Sequence, residues 1–206
     1  MLECRNIQSC RGDLILFKKL NFSLQAGHLL YLSGHNGSGK TTLLRILCQL
    51  ISPNTGDILW QNQPIKNNHQ YQQNLLYIGH QNAIHTDLTA LENLMFNSHL
   101  SQQFITKQQA WQALQTIGLS GHEDLPIRVL SQGQQRRVAL ARLLVSKQTL
   151  WILDEPFTAL DKDAIKQLTQ LIENHLKNNG MVILTTHQKL QLKNVPIQHL
   201  KLGWKK

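Results

Sequence analysis

The sequence predicts an α/β fold with a core sheet of buried strands, an antiparallel β subdomain and a helical insertion. Apolar runs at residues 28–33, 150–153 and 181–184 indicate the core sheet, because strands buried on both faces lack polar alternation. Capping boxes, in which Ser or Thr is followed three residues later by Glu or Gln, indicate the helices. The length of 206 residues suits one core with a subdomain.

The composition is that of a globular protein, with 41% hydrophobic and 16% charged residues. No window approaches 18 consecutive apolar residues, so we expect no membrane span. Residues 1–13 lack the apolar segment of a secretion signal. Cys4, Cys10 and Cys48 have no C-x-x-C spacing, which favours reduced thiols in a cytosolic compartment over a disulfide framework or a zinc site.

The formal net charge is +9. Such a charge attracts nucleic acid or the anionic inner leaflet of a membrane, and a solvated basic surface explains it equally well. The basic segment 201–206 is compatible with a membrane contact but is too short to establish one. Charge alone therefore leaves the partner open.

The remaining elements follow in chain order. Residues 14–34 have strand-like alternation, and residues 52–65 are typical of a turn and a hairpin. Capping boxes at Thr89-x-x-Glu92 and Thr106-x-x-Gln109 predict two helices. We place the helical insertion at about residues 86–146, and after Ser131 the pattern predicts helix, strand, helix and strand.

A phosphate-binding loop is predicted at Gly34–Thr41, which matches G-x-x-x-x-G-K-[ST], the Walker A motif. It lies between an apolar strand pattern and an amphipathic helix pattern, as this motif requires. Lys40 would neutralise the β- and γ-phosphates, and the Thr41 hydroxyl would bind Mg²⁺. Other residues would surround the phosphates with backbone N–H groups, namely Gly34, His35, Asn36, Gly37, Ser38, Gly39 and Thr42.

Two further apolar runs end in residues suited to catalysis. Asp154 and Glu155 follow one run and form a Walker B pattern, in which Asp154 would hold Mg²⁺ and Glu155 would polarise water. His187 follows the other run. The carboxyl ends of parallel strands meet at one edge of a sheet, so all three ends can reach one nucleotide. Taken singly, each has a simpler explanation as a turn, a helix cap or a surface residue.

A second anion-binding element begins at Ser131, where Ser131-x-x-Gln134 is also an ordinary capping box. Its place shortly before the Walker B pair resembles the ATP-binding cassette (ABC) ATPases. Six motifs occur in that family's order and cover almost the whole chain. They are Walker A at 34–41, the Q-loop glutamine Gln81, the signature at 130–134, Walker B at 150–155, the D-loop Asp161 and the switch His187.

The resemblance implies one ABC ATPase domain spanning residues 1–206, with a RecA-like mixed core sheet, that binds ATP and Mg²⁺. It also implies a homodimer of cassettes, in which the signature residues Ser131, Gly133 and Gln134 hold the partner's nucleotide. It assigns catalytic roles to Lys40, Gln81, Glu155 and His187, metal binding to Thr41, Gln81 and Asp154, and nucleotide contact to Asp161.

Two positions depart from the family pattern. The signature has Gln132 where the family favours glycine, but Gly133 is present, and we expect competent hydrolysis. The aromatic residue that stacks on adenine in the family aligns with Arg11. A guanidinium can stack on adenine, whereas a solvated arginine beside a weakened base site is an equally good reading. Arg11 at this position is therefore compatible with loose discrimination between nucleotides.

The amino-acid sequences of segments 75–96, 130–144 and 150–161 resemble those of the ATP-binding subunit of the cytochrome c maturation (haem export) system. This implies a peripheral protein on the cytoplasmic face of the inner cell membrane, in a complex with a CcmB-like integral membrane subunit and CcmC- and CcmD-like proteins. ATP hydrolysis would release a haem-loaded chaperone. The surface at about 81–130 would meet the membrane subunit. Leu94, Met95 and Phe96 are candidates for an exposed groove there, although a place in the helical core is favoured for them.

Other classes are less well supported. An ABC ATPase of a different exporter remains open. A soluble ABC ATPase acting on nucleic acid or ribosomes would suit the charge, but the sequence has neither a long coiled-coil insertion nor tandem cassettes, and we expect no nucleic acid partner. Function as a P-loop kinase would leave the signature at residues 130–134 unexplained.

Overall fold

Two β-sheets and a group of helices form the part of the chain that the computed structural model describes, residues 1–188, 192–193 and 195–203. The elements in chain order are β1 (Leu2–Arg11), β2 (Leu14–Leu24), β3 (Leu29–Ser33), α1 (Lys40–Leu47), β4 (Thr55–Trp60), β5 (Gln63–Pro64), α2 (His69–Asn74), β6 (Leu75–Ile78), α3 (Ala90–Leu100), α4 (Lys107–Thr116), a 3₁₀ turn (Ile127–Val129), α5 (Gln132–Val145), β7 (Leu150–Asp154), α6 (Lys162–Lys177), β8 (Met181–Thr185) and β9 (Ile197–Lys201). Residues 204–206 of the basic tail lie outside the described part.

The antiparallel sheet has the strand order β2-β1-β4-β5. Its β4–β5 pair confirms the hairpin predicted within residues 52–65. The strand-like stretch 14–34 forms two strands that belong to different sheets, because β2 pairs with β1 whereas β3 joins the core sheet. Strand β1 was not predicted, since irregularities in its register interrupt the period of two.

The core sheet has the order β6-β7-β8-β3-β9. All four strand pairs among the described residues are parallel. This is a correction to the mixed core sheet that the family resemblance implies, because the antiparallel strand pairs among the described residues all belong to the separate sheet. Parallel strands need long crossovers, and helices lie between β3 and β6, between β6 and β7 and between β7 and β8. The three functional strand ends, after β3, β7 and β8, therefore lie at one edge.

Strands β7 and β8 of the core sheet are buried on both faces, which confirms the interpretation of their apolar runs. In β8, Met181 and Ile183 pack with α1 and the antiparallel sheet, whereas Val182 and Leu184 pack with the helices of the other face. Strand β7 divides in the same way. Burial on both faces makes these strands rigid supports for the loops at their carboxyl ends.

Three helices lie where the sequence predicts a helical insertion, and the three predicted capping boxes that begin them are all present. Leu94 is buried in the core of this segment and Met95 packs against it. Phe96 is 40% exposed, and its ring lies 5.1 Å from that of His85. The core interpretation therefore holds for Leu94 and Met95, and Phe96 lies at the surface. None of the described helices is both long and apolar enough to cross a bilayer.

Candidate active site

A cavity of about 480 Å³ lies at the carboxyl edge of the core sheet, a size typical of small-molecule sites. Ten of the residues predicted from the sequence line it: Arg11, Asn36, Gly37, Gly39, Lys40, Thr41, Thr42, Asp154, Glu155 and His187. Leu16, His80 and Thr158 also line it and were not predicted. Residues from five separate segments thus converge on one space.

The phosphate-binding loop leads from β3 into α1 through a tight turn. Gly39 is the N-cap of α1 with a φ of 94°, a conformation that side-chain-bearing residues rarely adopt. A Cβ on Gly34 would lie 2.5 Å from both Ser38 Oγ and Leu202 O. Only glycine fits at Gly34, so the motif's first residue is fixed by packing as well as by its φ of 152°.

The polar groups of the loop suit an anion. Lys40 Nζ donates to Gly34 O at 2.8 Å and His35 O at 3.3 Å, so the ammonium lies across the loop. Ser38 is buried, and its Oγ has no hydrogen-bond partner among the described residues. Buried hydroxyls are rarely left unpaired, and a phosphate oxygen would satisfy this one. His35 is exposed, with Nδ1 2.9 Å from Asn36 O.

Asp154, the last residue of β7, connects the start of α1 to the end of the neighbouring strand β8. Its Oδ2 accepts a hydrogen bond from Thr41 Oγ1 at 3.0 Å, and its Oδ1 accepts one from Thr185 Oγ1 at 2.6 Å. A carboxylate beside a hydroxyl at a phosphate loop is the oxygen-rich donor set that Mg²⁺ prefers, completed by substrate phosphates and water. The residues present therefore fit Mg²⁺. Thr185 was missed from the sequence, where it is an ordinary polar end to a strand.

Glu155 has an unusual backbone and a partly free carboxylate. Its φ is 48°, and its N–H donates to Thr185 O at 3.2 Å and Thr185 Oγ1 at 2.9 Å. Oε2 accepts a hydrogen bond from the His187 N–H at 3.3 Å. Oε1 lies 3.4 Å from His187 Nε2 but makes no hydrogen bond with any described residue. A buried carboxylate oxygen that receives no hydrogen bond from the protein can accept a hydrogen bond from a water molecule.

Arg11 lies at the end of β1 and is exposed at the rim of the cavity. Leu16 also lines the cavity and is buried. A base entering here would meet an aliphatic surface and a guanidinium. This placement is compatible with stacking on the guanidinium and with a weakened base site.

Eight predicted residues do not line this cavity as the described residues define it, namely Gly34, His35 and Ser38 of the phosphate loop and five residues of other segments. Gln81 is exposed in the loop after β6, and its neighbour His80 lines the cavity instead. Ser131 and Gln134 bind each other, since Gln134 N donates to Ser131 Oγ at 3.2 Å and Ser131 N donates to Gln134 Oε1 at 2.9 Å. A Cβ on Gly133 would lie 2.8 Å from Ala159 O.

The fifth residue, Asp161, has two structural contacts. It caps α6 by accepting from Ala164 N at 2.8 Å, and it pairs with Arg137 at 2.6 Å. The signature and the D-loop are therefore packed together on one side of the described chain. Within that part of one copy, neither contributes to the lining of the nucleotide cavity.

The profile of the ABC transporter family matches residues 17–158, which is more than half of the chain. The chain belongs to the ABC transporter family. This membership makes it an ATP-binding protein and an ATPase, as the motif resemblance implied.

Relatives and solved structures of ABC proteins agree with this. The chain is 48% identical to the cytochrome c biogenesis ATP-binding export protein CcmA of Vibrio cholerae, covering 98% of this chain and 99% of that protein. It is 49% identical to CcmA of Escherichia coli K12, covering 98% and 96%. The resemblance to cytochrome c maturation subunits is thereby confirmed.

Among solved structures, the dimeric bacterial ABC transporter cassette MJ0796 is 25% identical, with a TM-score of 0.81, covering 98% of this chain and 94% of that chain. A dimeric post-hydrolysis state of the same cassette, bound to ADP and Pi, is 23% identical with a TM-score of 0.82, covering 100% and 98%. These likenesses confirm the predicted fold class, that of an ABC cassette.

Proposed function

We propose that this chain is the ATP-hydrolysing subunit of a cytochrome c maturation ABC complex, and that residues 1–206 act as one ATPase domain with a helical subdomain at about 86–146. The observation that carries the ATPase assignment of the site is the convergence of Lys40, Asp154, Glu155 and His187 on one cavity. The assignment to cytochrome c maturation rests on the near-complete coverage of the CcmA relatives.

Substrate binding begins at the phosphate loop. Its backbone N–H groups and the start of α1 surround the β- and γ-phosphates of ATP, and the ammonium of Lys40 exchanges its loop carbonyls for phosphate oxygens. Ser38 Oγ donates its unused hydrogen bond to the same group. Thr41, Asp154 and Gln81 would hold Mg²⁺, which would supply charge neutralisation at the phosphates.

Hydrolysis requires a water molecule that is aligned and deprotonated as it attacks. Glu155 Oε1, which is buried and without a donor, accepts a proton from that water as a general base. His187 lies beside this carboxylate, within 3.4 Å, and stabilises the charge that develops near the γ-phosphate. Glu155 directly follows β7 and His187 lies two residues after β8, so two buried strands place both residues at the same edge of the sheet.

The signature of one copy serves the nucleotide of another. Ser131, Gly133 and Gln134 lie at the N-terminus of α5, which has the partial positive charge that an anion prefers, yet they do not line the described cavity of their own chain. A head-to-tail homodimer would place them against the partner's γ-phosphate, with Asp161 nearby. ATP then stabilises the closed dimer, and hydrolysis removes that stabilisation.

Mixing two inactive variants tests this shared site. A Lys40→Ala chain lacks a working phosphate loop, and a Ser131→Arg chain lacks a working signature. A dimer with one chain of each kind has one intact shared site, so a 1:1 mixture should recover roughly a quarter of the wild-type ATPase rate if pairing is random. Phosphate release by each variant alone and by the mixture measures this.

The matched control mixes Lys40→Ala with Asp154→Asn, since both changes damage the Walker side and no intact site can form. Ser131→Arg also loses a helix cap worth about 1 kcal/mol, so binding of a fluorescent ATP analogue is used to show that this variant folds. Absence of any recovery with the complementary pair would rule out shared sites.

The membrane partner would contact the helical segment. Three exposed apolar side chains of this segment, which we call the apolar face, are Phe96, Leu100 and Phe104. Their exposed fractions are 40%, 68% and 83%. Phe96 and Leu100 are four residues apart on α3 and so share one side of the helix.

We place a CcmB-like integral membrane subunit on this face, with CcmC- and CcmD-like proteins in the complex, at the cytoplasmic side of the inner membrane. The coupled event is release of a haem-loaded chaperone.

Affinity purification from detergent-solubilised membranes tests this assignment, with identification of co-purifying proteins and an absorbance scan for haem. We expect a CcmB-like subunit with the wild-type chain and its loss from the double variant Phe96→Asp, Leu100→Asp. The control is Leu14→Asp, because Leu14 is equally exposed on the antiparallel sheet. Recovery with a different exporter, or retention on nucleic acid without any membrane partner, would overturn the assignment.

A further inference from the structure

We propose that Arg136 is a positioning residue that fixes the backbone of Glu155 and ties it to helix α5 and to the loop after β6. This inference rests on the proposed function, because it presumes that Glu155 acts as the general base. Arg136 is not a part of the six motifs, and its only sequence signal is a charge within an otherwise amphipathic helix.

Every donor of the Arg136 side chain is used. A guanidinium has five N–H groups in a fixed planar arrangement, and this one is only 3% exposed. Its acceptors are Pro156 O at 3.3 Å, Gly79 O at 2.9 Å, Asn82 Oδ1 at 3.1 Å, Asp154 O at 3.3 Å and Glu155 O at 3.0 Å. A lysine ammonium, with three donors and no plane, cannot reproduce this set.

Three of the acceptors are consecutive carbonyls of the Walker B turn, at Asp154, Glu155 and Pro156. Glu155 has a φ of 48°, and a non-glycine residue keeps such a conformation only where its surroundings fix it. Thr185 holds the N–H of Glu155, and Arg136 holds its carbonyl. The two contacts determine the peptide on each side of Glu155, and so the direction in which its carboxylate points.

The other two acceptors belong to the loop after β6. Gly79 O and Asn82 Oδ1 lie on either side of His80, which lines the cavity, and Gln81, the proposed metal ligand. One guanidinium therefore sets the spacing between this loop and the Walker B turn. Since α5 begins at the signature, a shift of that helix would act on both loops through the same group.

The charges around the guanidinium are consistent with its burial. Burial lowers the pKa of Arg136, and the carboxylates of Asp154 and Glu155 oppose that effect. Arginine remains protonated under such conditions. The guanidinium thus contributes a permanent positive charge behind the two carboxylates of the site.

The test compares Arg136→Lys and Arg136→Gln with the same substitutions at Arg142. Arg142 is a matched control, because it is a partly buried arginine on the same helix whose pKa is also lowered by burial, and it borders a small cavity beside Asn97 and Gln148 instead. We expect both Arg136 variants to lower kcat about ten- to a hundredfold, the scale of a displaced catalytic group, with KM for ATP changed less than about threefold. The Arg142 variants should keep kcat within about twofold.

A second measurement separates positioning from a general structural role. In a Glu155→Gln background, adding Arg136→Lys should lower the residual rate no further, because both changes remove the same action. An equal loss in both backgrounds, or a raised KM with kcat unchanged, overturns the proposal. If the buried lysine of the Arg136→Lys variant prevents folding, the same comparison is made with Arg136→Gln, whose side chain is uncharged. Normal turnover of Glu155→Gln alone would instead refute the proposed base.

Discussion

Replacing Glu155 with glutamine is expected to lower kcat by about 10² to 10⁴, the usual contribution of a general base, while ATP stays bound. The amide has the shape of the carboxylate but cannot accept a proton. The backbone contacts of Glu155 with Thr185 and Arg136 do not involve the side chain and should persist. Steady-state phosphate release, together with retention of labelled ATP on a filter, measures both parts of the expectation.

The same variant should accumulate as a closed dimer in the presence of ATP, because the ligand that stabilises closure is no longer consumed. Light scattering of the purified variant with and without ATP reports this change in mass. Glu92→Gln is the control, since Glu92 is exposed at the start of α3 and glutamine preserves its capping box. Wild-type turnover by Glu155→Gln would exclude the base role.

Replacing Lys40 with alanine is expected to lower kcat/KM for ATP by at least about tenfold. The reason is the loss of a charge-assisted contact to phosphate, worth about 1.5–3 kcal/mol. The loop itself should remain folded, because among the described residues Lys40 donates hydrogen bonds to the carbonyls of Gly34 and His35 alone, and these can bond to water. Rates over a range of ATP concentrations, with a fluorescent ATP analogue for binding, measure the effect.

Lys107→Ala is the matched control for Lys40→Ala. Lys107 is an exposed residue in the first turn of α4, so its removal changes the net charge equally without touching the cavity. It should keep wild-type kinetics. If both variants weaken ATP binding alike, the effect comes from the overall positive charge of the protein and the phosphate loop assignment fails.

The parts of the fold that could be predicted from sequence are those encoded in short continuous patterns. The apolar run of β7 predicts a buried strand wherever it lies, because burial on both faces requires apolar residues throughout. The loop from Gly34 to Thr41 carries its own geometry in its glycines. The capping boxes at Thr89, Thr106 and Ser131 are equally local, and all three are present.

The parts that were missed depend on contacts between distant segments. Arg136 reaches two loops far away in the chain, and Thr185 bonds to Asp154 from the next strand. Nothing in the local sequence marks either residue. Strand β9 was also missed, since it lies at the edge of its sheet and has no fully buried residue, so it lacks the continuous apolar run of β7 and β8. The order of strands cannot be read from single runs for the same reason.

The place of β3 in its sheet has a consequence for synthesis. Its two neighbours are β8 and β9, which come from the end of the chain, and Leu202 N donates to Ser33 O at 2.8 Å immediately before the phosphate loop. On a translating ribosome, the strand that carries this loop must wait for almost the entire polypeptide to emerge before it gains either neighbour. We therefore expect the phosphate loop of a nascent chain to lack the support of its core sheet until translation is nearly finished.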